Sequence, residues 1–458
     1  MKVFSYFSPR KTRIGFHYYP DMLHYQKGDL LLWLPELKEL EASWLVVQAS
    51  TERAVPEFFI RGLLDAGIEP ILQFNSSPFT RPSESELKPI LTAYAHWGVR
   101  TVILTECPNS SANWSSTKWA QSDLVERFLD NYLPVANLVL QCGLIPTLPP
   151  LEPGGSYWDT TFLRAMLESL LRRKETRILQ NLVLSAYAWT GRHPLNWGAG
   201  GPERWPAARP YHTPAESEDH CGFRIGEWYG AICKAVIGKS APTILLGAGI
   251  PSNPYQNPAT HEDPDSVRTN LAIARLLMDE SVEEPGDPGV LLSPLPEEIV
   301  SCNFWLLAAG SAGAFAHQAW YAVDGKPKPI VAAIKSWLEQ PRQKNSFAKE
   351  ENPPFRKDFY QKAARTSPPR PIRHYLLLPT YEWGVADFHL DVIRPFIKKY
   401  QPTIGFSLKE AALAEQVTII GGPQSFPESI LERLRESGCI VDRIAGDGTS
   451  IATQLSER

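Results

Sequence analysis

One carboxylate in this chain stands where chemistry could be done. In "TVILTECPNSSANW" (101–114), Val102, Ile103 and Leu104 read as a short buried strand that runs into Glu106 and breaks at Pro108. A glutamate so placed can exchange a proton at the mouth of a sheet, or it can cap a helix that follows. The ends of the other apolar runs decide which reading has company. They carry His17, Tyr18 and Tyr19, then Gln48, then Gln73 with Asn75, and Asn109 just beyond Glu106. Further on come Glu152, Tyr187 with Trp189, Gly247, and His317 and Gln318 with Trp320. Amides and aromatic rings with few charges suit a neutral, polyhydroxylated ligand, because each hydroxyl needs both a donor and an acceptor. The expected ligand is a carbohydrate, with Trp189 and Trp320 stacking on sugar rings.

Other chemistries find no support in the spacing. The histidines show no H-x-x-x-H or H-E-x-x-H pattern, and the six cysteines show no C-x-x-C pairing, so no metal or other cofactor is expected and the thiols read as mostly buried. No G-x-S-x-G elbow appears. A formal charge of −4 gives no footprint for nucleic acid or an anionic membrane. No stretch reaches 18 apolar residues and the N-terminus has no signal-like apolar core. The expectation is a cytoplasmic protein, or an extracellular or wall-associated one if a signal was removed. Oligomeric state is left open.

The elements that must position these residues alternate. Strand-like runs at 13–19, 43–50, 69–77, 100–106, 144–150, 181–189, 242–249 and 312–322 are separated by amphipathic helical stretches, several closing at Gly67, Gly98, Gly143, Gly238 or Gly310. "PEEIVSCNFWLLAAG" is read as the last of these helices. Eight strand–helix steps predict a parallel (β/α)8 TIM barrel over 1–338, with a doubly wound open sheet as the other arrangement. Long insertions at 190–221 and 250–295 follow barrel strands and would hang over the strand ends. Residues 339–371, polar and proline-rich, read as a linker, and 372–458 as a small flavodoxin-like α/β domain.

With the strand ends in place, the barrel resembles the clan A glycoside hydrolases, the cellulase-like and β-galactosidase-like (β/α)8 enzymes. In that clan the fourth strand ends in Asn-Glu, often Asn-Glu-Pro, and the glutamate is the general acid/base. "LTECPN" matches at Glu106, with Thr105 in the asparagine position and Cys107 ahead of the proline. "WLLAAGSAGAFAHQAW" is similar to the clan's last helix and eighth strand, where a tryptophan lies under the sugar. The clan's nucleophile ends strand seven, and against "PTILLGAG" its position falls on Gly247. A retaining mechanism needs a second carboxylate about 5–5.5 Å from the first, so the resemblance implies hydrolysis by direct attack of water instead. Glu227 in "RIGEWYG" is the expected base, with Asp219, Glu218, Glu152 and Asp324 as other carboxylates within reach. The bland reading of Glu227 is a helix-start charge that favours the macrodipole. The alternative function is a catalytically inactive barrel that binds carbohydrate. In the C-terminal part, Gly421-Gly422, Gly438 and Arg443-Ile444-Ala445-Gly446 resemble the type 2 cell-wall-binding repeat, with Gly448-Thr449 in place of its usual Arg-Tyr.

Overall fold

The computed structural model describes residues 12–78, 82–191, 193–250, 264–310, 315–340, 372–379, 393, 396, 402–422 and 425–445. The chain divides into two compact units, Met1–Ser346 and Phe347–Arg458. Most of the expected linker, and Gly446, Gly448 and Thr449 of the repeat-like motif, lie outside the described residues.

In the first unit the strands are β1 (Ile14–His17), β2 (Trp44–Ala49), β3 (Glu69–Phe74), β4 (Thr101–Ile103), β5 (Ile145–Pro146), β6 (Leu184–Trp189) and β7 (Thr243–Gly249), with β10 (Ile299–Phe304) as the eighth of the sheet. Between the last two, β8 (Val282–Glu284) and β9 (Asp287–Leu292) form an antiparallel hairpin. The helices α1 (Lys27–Glu39), α2 (Glu57–Asp65), α3 (Glu84–Trp97), α4 (Leu124–Gln141), α5 (Asp159–Arg172), α6 (Ile225–Ile237), α7 (Pro264–Leu277) and α8 (Pro329–Glu339) alternate with the eight strands.

The sheet runs β5-β4-β3-β2-β1-β10-β7-β6, parallel throughout. Its two ends meet. Leu148 N donates to Val183 O at 2.8 Å, and Ser185 Oγ donates to Leu148 O at 2.5 Å. That seam closes a (β/α)8 barrel. The period of two fills it: Trp44, Val46, Ile71, Ile103, Ile145, Val183, Ile244 and Leu246 pack inside, while Leu45, Val47, Leu72, Val102 and Leu184 face the helix layer. Gly98 and Gly238 end α3 and α6 at φ +102° and +79°, a left-handed conformation that glycine adopts at little cost.

The last strand corrects the sequence reading. "IVSCNF" is β10 rather than helix, and 312–322 holds no strand among its described residues, only a 3₁₀ turn at Ala316–Gln318. The helix before β10 is α7, which lies within the insertion expected at 250–295. Gly310 therefore follows a strand and ends no helix. The run from 299 to 309, apolar but for Ser301 and Asn303, fits either element, so pattern alone could not arbitrate.

The second unit has a four-stranded parallel sheet in the order β12 (Thr403–Gly405), β11 (Ile372–Leu377), β13 (Ala414–Ile420), β14 (Ile440–Ile444). Helix α9 (Glu428–Glu436) joins the last two strands. This 2-1-3-4 order is the doubly wound, flavodoxin-like one. Arg443 reaches Glu428 Oε2 at 3.0 Å and Phe426 O at 2.6 Å, which ties β14 to the start of α9.

Candidate active site

The strand ends of the barrel open into a cleft of about 700 Å³. Glu106 stands three residues beyond β4, ahead of the break at Pro108, and it caps no helix. The nearest helical turn, Ser111–Asn113, begins five residues later. Instead Glu106 ends a chain of amides. Asn75 Nδ2 donates to Gln48 Oε1 (3.1 Å), Gln48 Nε2 to Gln73 Oε1 (3.3 Å), and Gln73 Nε2 to Glu106 Oε2 (2.9 Å). The hydroxyl of Tyr187 donates to the same Oε2. Gln48 and Gln73 each spend the oxygen on the previous donor and point the nitrogen at the next acceptor. A chain of that polarity must end in an acceptor, and a carboxylate is the strongest available. Burial, and after it the nearby Glu106 charge, hold Tyr187 well above the usual phenol range, so it stays a donor.

Aromatic rings wall the cleft. Trp189 stacks on Tyr187 with ring centroids 4.9 Å apart and leaves 43% of its surface exposed. Trp305 and the exposed Phe315 meet edge to face, and Trp305 Nε1 donates to Gln318 Oε1 at 2.6 Å. Among the described residues the carboxylates lining the cleft are Glu106 and Glu152, and no lysine, arginine or histidine lines it.

Strand seven bulges at Gly247. The register of β7 shifts there against both β10 and β6, and Gly247 takes φ +61°. Its N–H donates to Nε2 of His17 at 3.1 Å. A Cβ at this position would meet Trp189 Nε1 at 3.0 Å and Tyr187 Cδ1 at 3.3 Å. His17 lies beneath the cleft, edge-on to Trp305, and burial lowers its pKa to about 3. It is a neutral acceptor that fixes the bulge.

The cleft thus gathers Gln48, Gln73, Asn75, Glu106, Tyr187, Trp189 and Gln318 from the expected set. Others stand elsewhere. Tyr18 is fully buried, its hydroxyl donating to His24 O at 2.8 Å. Trp320 is 4% exposed and packs between Phe16 and Phe304, because the chain after β10 turns back into the core rather than ending a strand at the mouth. His317 does not line the cleft, and its carbonyl accepts from Lys328 Nζ. Asn109 is fully buried and clamps the neighbouring loop, donating to Glu152 O and Tyr157 O and accepting from Glu152 N.

Glu227 is not in the cleft. It pairs with Arg224 at 3.2 Å and accepts from Gly200 N at 2.6 Å, which is loop construction at the start of α6. Asp219 and Glu218 are used the same way. Asp219 accepts from Trp197 Nε1, Cys221 N and Thr213 Oγ1, and Glu218 from Gly198 N. Asp219, His220 and Cys221 put potential metal-ligand atoms within 4.8 Å of one another. The Asp219 oxygens are already spent, however, and His220 Nε2 faces Asp159 Oδ1 at 2.6 Å. Trp305 and Phe315 are aromatic cleft residues that sequence reading missed. Had 299–304 been read as a strand, Trp305 would have stood at its end.

No family model matches the chain, and no curated protein sequence does either. Among solved structures it is similar to a monomeric β-xylosidase from Caulobacter crescentus, at 12% identity over 73% of this chain and 69% of that one, with a TM-score of 0.46. It is also similar to a GH10 protein from Paenibacillus barcinonensis, at 9% identity over 73% and 97% with a TM-score of 0.40. For an endo-β-1,4-glucanase from Xanthomonas axonopodis the values are 12%, 71% and 98%, with 0.37. At these identities and scores the resemblance carries no argument about chemistry.

Proposed function

We propose that the barrel hydrolyses a glycosidic bond in an oligo- or polysaccharide, with Glu106 as general acid and water attacking the anomeric carbon directly. The observation that supports this best is the placement of Glu106: one oxygen is fixed by Gln73 and Tyr187, and the residue faces an aromatic-walled cleft of sugar-binding size. Flat rings suit the apolar faces of a pyranose, and the amides suit its hydroxyls. The bulge at Gly247 leaves the clan's nucleophile position without a carboxylate, so a covalent glycosyl-enzyme has no partner there. Glu106→Gln should lower turnover of unactivated glycosides by about 10²–10⁴-fold at unchanged thermal stability. Proton NMR of the first product should show inversion at the anomeric carbon. A retained anomer, or full activity in Glu106→Gln, contradicts the proposal. The same bulge favours a second reading, a barrel that binds glycans without cleaving them. Oligosaccharide binding with no turnover across a broad panel would select it.

A further inference from the structure

Direct attack by water needs a base, and Glu227 is too well employed to serve. We propose that Glu152, on the loop after β5, is the general base of this site; the assignment rests on the hydrolytic reading above. Glu152 shares the lining of the cleft with Glu106 and, among the described residues, its carboxylate accepts no hydrogen bond and meets no cation. A carboxylate that no described donor or cation occupies is available to accept a proton from water. Its backbone, by contrast, is held from both sides. Asn109, fully buried, receives Glu152 N at 2.8 Å and donates to Glu152 O at 2.8 Å. Gly155 N closes the turn onto the same carbonyl at 3.0 Å. A Cβ at Gly155 would stand 2.6 Å from Asn109 Nδ2, so the turn requires glycine. Cys107 N donates to Pro150 O at 2.8 Å and joins this loop to the residue after Glu106. Glu106 follows the end of β4 by three positions, and Glu152 follows the end of β5 by six. Glu152 therefore stands on a different loop from Glu106, and an inverting pair needs room for a water between its carboxyl groups.

In the step, a water oxygen bonds to the anomeric carbon and gives one proton to Glu152. The bond from that carbon to the leaving oxygen breaks, its electron pair goes to the leaving oxygen, and Glu106 protonates that oxygen. The test uses the full chain with 2,4-dinitrophenyl and 4-methylumbelliferyl glycosides of common neutral sugars in both anomers. Glu152→Gln should lose about 10²–10⁴-fold on both leaving groups, because a base is needed whichever group departs. Glu106→Gln should recover on the dinitrophenyl substrates, which leave without acid help. In Glu152→Ala, azide should restore turnover and give a glycosyl azide of inverted configuration, which a merely structural residue would not do. Wild-type rates in Glu152→Gln, with Glu106→Gln still impaired, overturn this assignment and leave the hydrolytic reading standing. Wild-type rates in Glu106→Gln on the 4-methylumbelliferyl substrates, or no turnover of any substrate by the unmodified chain, overturn both.

Discussion

The indole of Trp189 stands where a side chain on Gly247 would have to be. The bulge in β7 and the φ of +61° turn the glycine's vacant side toward Trp189 and Tyr187. What strand seven lacks in chemistry it returns as floor space for an aromatic platform.

Placing a side chain there should be costly and useless. Gly247→Ala is expected to destabilise the barrel by about 1–2 kcal/mol through left-handed strain alone. Gly247→Glu should also displace Trp189 without creating a retaining enzyme. Urea denaturation and the anomer of any product check both.

Trp189 and Trp320 should separate cleanly. Trp189→Ala removes an exposed ring stacked on Tyr187, so oligosaccharide affinity should fall about tenfold or more while the melting temperature barely moves. Trp320→Ala empties a core site between Phe16 and Phe304 and should cost about 3–5 kcal/mol of stability. Calorimetry and a glycan titration on each variant decide it.

The Asp159–His220 pair predicts a pH dependence. Asp159, fully buried, accepts from His220 Nε2, Tyr229 OH and Gly154 N, and so ties the loop after β5 to the loop after β6 and to α6. Burial alone would lower the His220 pKa, but its hydrogen bonds to Asp159 and Cys221 outweigh it and raise the value from 6.5 to about 10. A raised folded pKa means the contribution is complete below about pH 6.5 and fades as pH climbs toward 10. His220→Gln should cost about 3–5 kcal/mol near neutral pH. Its deficit against the unmodified chain should shrink in melting scans between pH 8 and about 10. A constant deficit across that range would refute the charged pair.

Much of this was legible in the residues. Seven strands announced themselves by short apolar runs bounded by glycine and proline, and the strand-end amides Gln48, Gln73 and Asn75 converge as their positions suggested. Pattern failed where one run fits either element, at 299–309, and that misreading carried Trp320 to the mouth and hid Trp305. It failed again for Asn109 and Glu227, whose roles depend on backbone groups far away in sequence that no spacing can reveal. The polarity of the amide chain toward Glu106 is likewise a property of three dimensions.

The charged side chains among the described cleft residues are the carboxylates Glu106 and Glu152, which gives the lining a negative sign. Hexuronates, sulfated chains and phosphorylated glycans would meet Glu106 and Glu152 with no counter-charge to answer their own. At physiological ionic strength that repulsion reaches roughly 8 Å, about the span of a sugar unit and its substituents. On the proposed function, an acidic polysaccharide is therefore expected to bind more weakly than its neutral counterpart, which a titration at low and high salt checks. If the barrel acts on glycans as proposed, neutral chains should be preferred, and that preference should weaken as salt screens the two carboxylates.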